Sequence, residues 1–311
     1  MTHHASILLQ LGRNVDAAAV AEQVTRKSPT SAAGFALLGY ADLQLNKTRE
    51  AIRALKRSVD LQPDAAVEDL LQKAERELKA EAEFRQDDST HFALRYEGSS
   101  APTELRRQIL DTLERHYNDL VNDLGYSPRE TISVALYTDR QFFDVTRAAA
   151  WVGALNDGKL RLPINGVTVV DTNLSRVLKH ELTHSFINQM TRGRCPTWLN
   201  EGIAQLLEPR SVGPEGRKLA ALYGAQRNIP LNELEGSFLR FSPEEATLAY
   251  AQALVAAEYI RDTYGMSELA SVLKRIGEGQ STESALRSTI HSGYGQLEQE
   301  LTRHLQRSFG G

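Results

Sequence analysis

The sequence has a single cysteine, Cys195, among 311 residues, so it can form no internal disulfide. A disulfide-stapled secreted domain is therefore excluded. The sequence also lacks any apolar run of about 18 residues or more, and it predicts no transmembrane helix. Its first residues do not show the basic start and long apolar stretch of a signal peptide. The sequence leaves the compartment open between a cytoplasmic protein and, if the sequence has been trimmed, an exported one.

An excess of basic charge is also missing. Lys and Arg number 36 against 40 Asp and Glu, which gives a net charge of -4. Nucleic-acid binding usually needs a concentrated basic surface, so we expect no nucleic-acid partner. The length is sufficient for about two domains with buried cores.

The N-terminal part carries an internal period of 34 residues, in which Gly12 aligns with Asn46 and Pro29 with Pro63. The copy at roughly 32–65 resembles a tetratricopeptide (TPR) repeat, a helix–turn–helix unit of that length. The resemblance implies a surface for a protein partner. A short helical packing unit without a partner is the alternative.

A polar run near 86–89 predicts a boundary between an all-α segment, 1–86, and a second domain, 87–311. Hydrophobic periodicity predicts the remaining elements. They are a helix over 66–86, a strand over 91–97, a helix over 102–124, strands over 131–137, 159–163 and 167–170, and helices from 173 almost to the end. Strands followed by many helices favour an α+β class.

The stretch from 174 to 190 has apolar residues at helical spacing and contains the motif H-E-L-T-H. His180 and His184 would lie one turn apart on one helix face, where two imidazoles can bind one Zn²⁺. Glu181 would lie beside the metal and could take a proton from a metal-activated water. The alternative is a pair of ordinary histidines on a helix.

A second motif, W-L-N-E-G-I-A, places Glu201 after 16 intervening residues from His184. A second helix could bring Glu201 to the same metal as a third ligand and leave a fourth position open, which is typical of catalytic zinc. Gly202 would allow a close helix approach, and Trp198 would anchor the helix in the core. A surface glutamate is the alternative for Glu201.

Together these motifs resemble the gluzincin class of zinc peptidases, and more closely the peptidase MA-like domain family. The similarity rests on H-F-A-L-R-Y at 91–96, H-E-L-T-H at 180–184 and P-T-W-L-N-E-G-I-A at 196–204, and it covers about 88–280. It implies a thermolysin-like zincin domain, a small sheet with helices, following the TPR-like segment. It also implies Zn²⁺ held by His180, His184 and Glu201, with Glu181 as general base.

The resemblance also implies a donor for the oxyanion that forms during hydrolysis. Tyr250, in a segment similar to the Y-x-Q of the family, is the candidate, and a core tyrosine is the equal alternative. Tyr223 is a weaker candidate.

A strand beside the metal is expected to pair with the substrate backbone. Either 151–157 or 159–163 could supply it, and Gly153 and Ala154 are the expected substrate-binding residues. Aminopeptidases of the M1 family have a glutamate where this chain has Asn156, which favours an endopeptidase over an aminopeptidase. An ordinary surface loop is the alternative.

The sequence thus predicts a zinc metallopeptidase acting on a protein or peptide substrate, recruited in part by the TPR-like segment. One alternative is a non-catalytic TPR-type scaffold with a vestigial zinc site. Another is a zinc hydrolase for a non-peptide amide or ester.

Overall fold

A computed structural model describes residues 1–98, 101–147, 154–164, 166–208, 213 and 215–310. The chain forms two compact units. The first consists of residues 1–110 and 130–170, and the second of 111–129 and 171–311.

The first unit begins with five helices. They are α1 (Thr2–Gln10), α2 (Asn14–Lys27), α3 (Ala32–Gln44), α4 (Thr48–Leu61) and α5 (Ala65–Ala80). Both ends of α4 lie 34 residues after those of α2, and Gly12 and Asn46 both have a left-handed φ, of 68° and 58°. An added Cβ at Gly39 would lie 2.6 Å from the Leu55 side chain, so α3 and α4 depend on a small residue for their contact. The period therefore corresponds to a repeated helical unit, and its assignment as a TPR repeat stays a prediction.

A five-stranded sheet follows in the same unit. Its strands are β1 (Phe84–Asp88), β2 (Phe92–Glu97), β3 (Ile132–Tyr137), β4 (Leu155–Asn156) and β5 (Leu160–Pro163). Their order is β1-β2-β3-β5-β4, with β2, β3 and β5 mutually parallel and the two outer strands antiparallel to their neighbours. The predicted strands at 91–97, 131–137 and 159–163 are confirmed.

Two expectations for the strands need correction. The helix predicted over 66–86 ends earlier, because α5 stops at Ala80, and residues 84–88, polar except for Phe84, form β1. The sequence pattern did not predict this strand because an outer strand needs few apolar side chains. The strand predicted over 167–170 is wrong. Val169 is 56% exposed, and the Val170 N–H donates to the Gln108 side chain at 3.0 Å instead of to a neighbouring strand. The division into domains at 86/87 stays a prediction.

Two further helices accompany the sheet, α6 (Thr103–Leu124) and α7 (Asp139–Thr146). Helix α6 begins after Pro102 and ends before Gly125, whose φ of 60° favours glycine, so both predicted ends are confirmed. Its N-terminal part belongs to the first unit and its C-terminal part to the second.

A buried charge cluster connects α5 to the sheet within the first unit. Glu77 on α5 forms ion pairs with Lys159 and with Arg161, the latter at 2.8 Å. Arg161 also pairs with Asp157 at 2.9 Å, and Lys73 reaches Asp157 at 2.6 Å. Charges this deeply buried are tolerated only when they are paired, so α5 is fixed against β5.

The second unit is helical over the described residues. Its main helices are α8 (Thr172–Thr191), α9 (Thr197–Leu207), α10 (Gly216–Gly224), α11 (Pro243–Tyr264), α12 (Met266–Gly277), α13 (Thr282–Ile290) and α14 (Tyr294–Phe309). Two short 3-10 turns, Glu233–Glu235 and Phe238–Arg240, precede α11. In the described ranges, no helix combines the length and apolar character needed to cross a membrane. A small sheet followed by many helices confirms the predicted α+β class.

Candidate metal centre

Helix α8 places the paired histidines. Its first turn is capped by Asp171, whose side chain accepts a hydrogen bond from the Leu174 N–H at 2.7 Å. One face of the helix is fully buried and carries Leu178, Leu182, Phe186 and Ile187. This packing fixes the rotation of α8 and sets the direction in which His180 and His184 project.

Three potential ligands converge, as predicted. The Nε2 atoms of His180 and His184 lie 3.1 Å apart. One carboxylate oxygen of Glu201 lies 3.6 Å from His180 Nε2, and the other lies 3.8 Å from His184 Nε2. Their ligand atoms all fall within 4.8 Å of one another, and no other such group of His, Cys, Asp or Glu occurs among the described residues.

The donor set fits a zinc ion. Two imidazole nitrogens at about 2.0–2.1 Å from one tetrahedral Zn²⁺ would be about 3.3 Å apart. The two Nε2 atoms are separated by 3.1 Å, close to that value. Two neutral imidazoles and one carboxylate also form a known ligand set for catalytic zinc. The residues present therefore could hold the metal without a large rearrangement.

Helix α9 brings Glu201 to this position. Trp198 is fully buried, and its indole N–H donates to the Tyr294 hydroxyl at 3.2 Å, which anchors the start of the helix. An added Cβ at Gly202 would meet the Ala253 carbonyl oxygen at 2.3 Å. Only glycine therefore permits α9 to approach α11 so closely, and both predicted roles, for Trp198 and for Gly202, are confirmed.

A glutamine joins α9 to α11 beside the site. The Gln205 side-chain amide donates to the carbonyl of Glu201 at 3.2 Å and to the carbonyl of Tyr250 at 3.0 Å. The Gln205 amide thereby links the backbone of Glu201, the potential third ligand, to the backbone of Tyr250, the predicted oxyanion donor.

Two residues that support the histidines were not predicted. Asn200 Oδ1 lies 3.0 Å from His184 Nδ1, where Nδ1–H would donate and leave Nε2 free for a metal. Glu208 Oε2 lies 3.4 Å from His180 Nδ1, and Arg176 pairs with the other Glu208 oxygen at 3.7 Å. The sequence could have indicated Glu208, because this residue follows Glu201 by seven positions and so shares its helix face.

The carboxylates make the site attractive to a cation. Burial alone would lower the pKa of His180, but the carboxylates of Glu201 and Glu208 outweigh it and raise that pKa to about 10. Burial alone would raise the pKa of Glu201, and the two histidines lower it below its usual value instead. A metal ion would take the place of the proton that this arrangement otherwise retains.

Glu181 lies on the same helix turn and is almost completely buried. Its burial raises the pKa of its carboxyl, and the charge of Glu201 adds to that effect, whereas His184 and His180 oppose it. A raised carboxyl pKa is suited to accepting a proton near neutral pH.

The candidate oxyanion donor, Tyr250, lies on α11 and is 40% exposed. Its burial and the nearby charges of Glu201 and Glu181 raise the pKa of its phenol to about 12, so it remains protonated at neutral pH. The other candidate, Tyr223, is almost fully buried, and its hydroxyl accepts a hydrogen bond from Gln252 at 3.3 Å.

Of the two expected substrate-binding residues, only one lies in the described part of the chain. Gly153 lies outside the described residues. Ala154 is described, largely buried, and directly precedes β4, the outermost strand on its side of the sheet. The alternative strand, β5, lies between β3 and β4. Of the described residues in the two sequence candidates, only Leu155–Asn156 form an outer strand.

A sequence model of the peptidase MA superfamily matches residues 114–306, a span that includes α8, α9 and α11. The paired histidines and the glutamate thus lie inside a metallopeptidase-type region. Because the match covers more than half of the chain, this protein belongs to the peptidase MA superfamily. No curated protein matches the chain.

Proposed function

We propose that this protein is a zinc-dependent metallopeptidase that hydrolyses peptide bonds. The observation that carries the proposal is the convergence of His180, His184 and Glu201 from two helices, with Glu181 beside them. Superfamily membership supports a metallopeptidase-type activity.

Each residue has a distinct part in the proposed reaction. When bound, Zn²⁺ would act as a Lewis acid on a water and on the carbonyl of the substrate. Glu181 would take a proton from that water as the new bond forms and then give it to the leaving amine. His180, His184 and Glu201 would hold the metal and leave one position open.

Tyr250 is proposed as the donor to the developing oxyanion. Its phenol is protonated at neutral pH and partly accessible, which a hydrogen-bond donor to substrate requires. The burial of Tyr223 and its bond to Gln252 support Tyr250 as the better candidate.

An endopeptidase is favoured over an aminopeptidase. Asn156 stands where aminopeptidases of the M1 family have a glutamate, and its side chain has no carboxylate to bind a substrate amine. The carboxylate of Asp157 is already paired with Arg161 at 2.9 Å and with Lys73 at 2.6 Å. We propose that the backbone of a peptide pairs with the outer strand at Ala154 and β4.

The helical repeats are proposed to recruit part of the protein substrate. Tyr40 on α3 is 43% exposed and offers an aromatic side chain to such a partner. Tyr40→Ala would then raise KM for a protein substrate and leave the hydrolysis of short peptides unchanged.

The deciding experiment compares the wild type with Glu181→Gln. Zinc content is measured after dialysis by atomic emission, and hydrolysis is followed on unstructured proteins and on peptides. We expect near-stoichiometric zinc in both proteins, and a loss of about 10²–10⁴-fold or more in turnover for the variant. Glu244→Gln, at an exposed position on α11, is the matched control and should keep both properties.

Three results would contradict the proposal. Wild-type turnover in Glu181→Gln would exclude this residue as the base. A wild type without bound zinc would favour the non-catalytic scaffold. Activity confined to non-peptide amides or esters would keep the metal site and change the substrate class.

A further inference from the structure

A row of aromatic side chains extends from the metal centre within the second unit. The Tyr250 ring meets the Phe238 ring edge-to-face, with centroids 5.2 Å apart. The Phe238 ring in turn contacts Phe241, with centroids 5.9 Å apart. Gln205 fixes the inner end of this row, because it bonds the carbonyls of both Glu201 and Tyr250.

The three rings differ in their access to solvent. Phe238, in the centre, is only 5% exposed and is covered by its neighbours. Tyr250 is 40% exposed, and Phe241 is half-buried. An apolar surface beside the candidate metal centre therefore remains in contact with water. Leaving aromatic faces in water costs free energy unless another molecule covers them.

A cation lies at the outer end of the row. The Arg240 guanidinium is 5.2 Å from the centroid of the Phe241 ring, and its side chain also donates to the Glu233 carbonyl. This contact holds the charge near the aromatic surface. A lysine or arginine side chain that entered along the rings would meet a like charge, whereas an uncharged apolar side chain would not.

We propose that Tyr250, Phe238 and Phe241 form a substrate subsite that accepts a large apolar side chain next to the scissile bond, and that Arg240 excludes basic side chains from it. This inference rests on the proposed peptidase function and specifies its substrate class. The predicted substrate is a peptide with Phe, Tyr, Leu or Met at one position flanking the cleaved bond.

The first test maps cleavage sites in a mixed peptide pool by mass spectrometry. Paired peptides that differ only by Phe or Lys at the preferred position then give the ratio of kcat/KM. We expect the wild type to favour Phe by roughly tenfold or more, which is the range that pocket contacts of this size supply. Phe241→Ala should reduce that ratio to about threefold or less.

Arg240→Glu should raise kcat/KM for the Lys peptide relative to the Phe peptide, because it replaces a repulsive charge by an attractive one. Arg307→Glu, an exposed position on α14, is the matched control and should leave the ratio unchanged. Phe241→Ala, Arg240→Glu and Arg307→Glu all leave the buried Phe238 unchanged.

A binding measurement separates this inference from the proposed function. Calorimetry with Glu181→Gln measures the affinity for the same capped Phe and Lys peptides without turnover. If the wild type cleaves no peptide, the proposed function fails, and this affinity ratio alone decides the subsite. Equal affinities, or equal kcat/KM values that Phe241→Ala leaves unchanged, would overturn the subsite while the peptidase assignment stands.

Discussion

Residues around the three potential ligands determine how firmly a metal is held. Glu208 lies between His180 and Arg176, and its carboxylate orients the imidazole from the side away from the metal. Partners of this kind commonly change metal affinity by about 10–100-fold. We expect Glu208→Gln to raise the zinc Kd by that factor, measured by competition with a chromophoric chelator, and Glu244→Gln to leave it unchanged. An unchanged Kd in Glu208→Gln would show that His180 is oriented without this carboxylate.

At the residue scale, the sequence predicted those features of the site that depend only on spacing along one helix. His180 and His184 share a face because they are four residues apart on one helix, and this could be read directly from the motif. The distances from Glu201 to the histidines depend on how α9 packs against α8, which no local pattern gives. Glu208 was missed for the same reason, although its spacing from Glu201 placed it on the correct helix face.

At the scale of elements, the approach of α9 to α11 sets the position of Glu201 relative to Tyr250. Gly202→Ala would place a methyl group 2.3 Å from the Ala253 carbonyl oxygen, so one helix must move. We expect a loss of about 1–3 kcal/mol in the free energy of unfolding, measured by urea denaturation. Zinc affinity should fall as well, because Glu201 moves with α9.

Gly295→Ala on α14 is the matched control, since an added Cβ there meets nothing within 4 Å. It should be neutral or stabilise by up to about 1 kcal/mol, because alanine loses less backbone freedom in a helix than glycine. If both substitutions have the same effect, the close contact at Gly202 does not limit the packing of α9.

Elements with strong periodicity were predicted well, and short or polar ones were not. The repeated helices and α6 have long amphipathic patterns and capping signals that a sequence shows. Strand β1 has only one neighbouring strand and little apolar content, so its pairing comes from β2 rather than from its own residues. The segment 167–170 is the opposite case, because its sequence is mainly apolar but its residues form no strand.

At the scale of the whole molecule, the buried charge cluster predicts how the first unit responds to acid. Burial alone would raise the pKa of Glu77, but Arg161 and Lys159 outweigh it and lower that pKa below its usual value. Asp157 behaves in the same way, since Arg161 and Lys73 outweigh its burial and lower its pKa. A carboxyl whose pKa is lower in the folded state binds fewer protons there than in the unfolded state. Its stabilising effect is complete above the unfolded pKa and is lost as the pH falls through the folded one.

We therefore expect the free energy of unfolding of this unit to be constant near neutral pH and to fall steeply below about pH 4.5. Hydrogen exchange in peptides from α5 and β5 reports the first unit separately from the second. Glu77→Gln should lose about 3–5 kcal/mol at neutral pH, because it leaves the buried Lys159 without its ion-pair partner and removes one partner of Arg161, which keeps Asp157. Its stability should then depend less on pH in the acidic range than that of the wild type. An equally steep acid dependence in Glu77→Gln would place the sensitivity in other carboxylates and leave this cluster with a purely structural part.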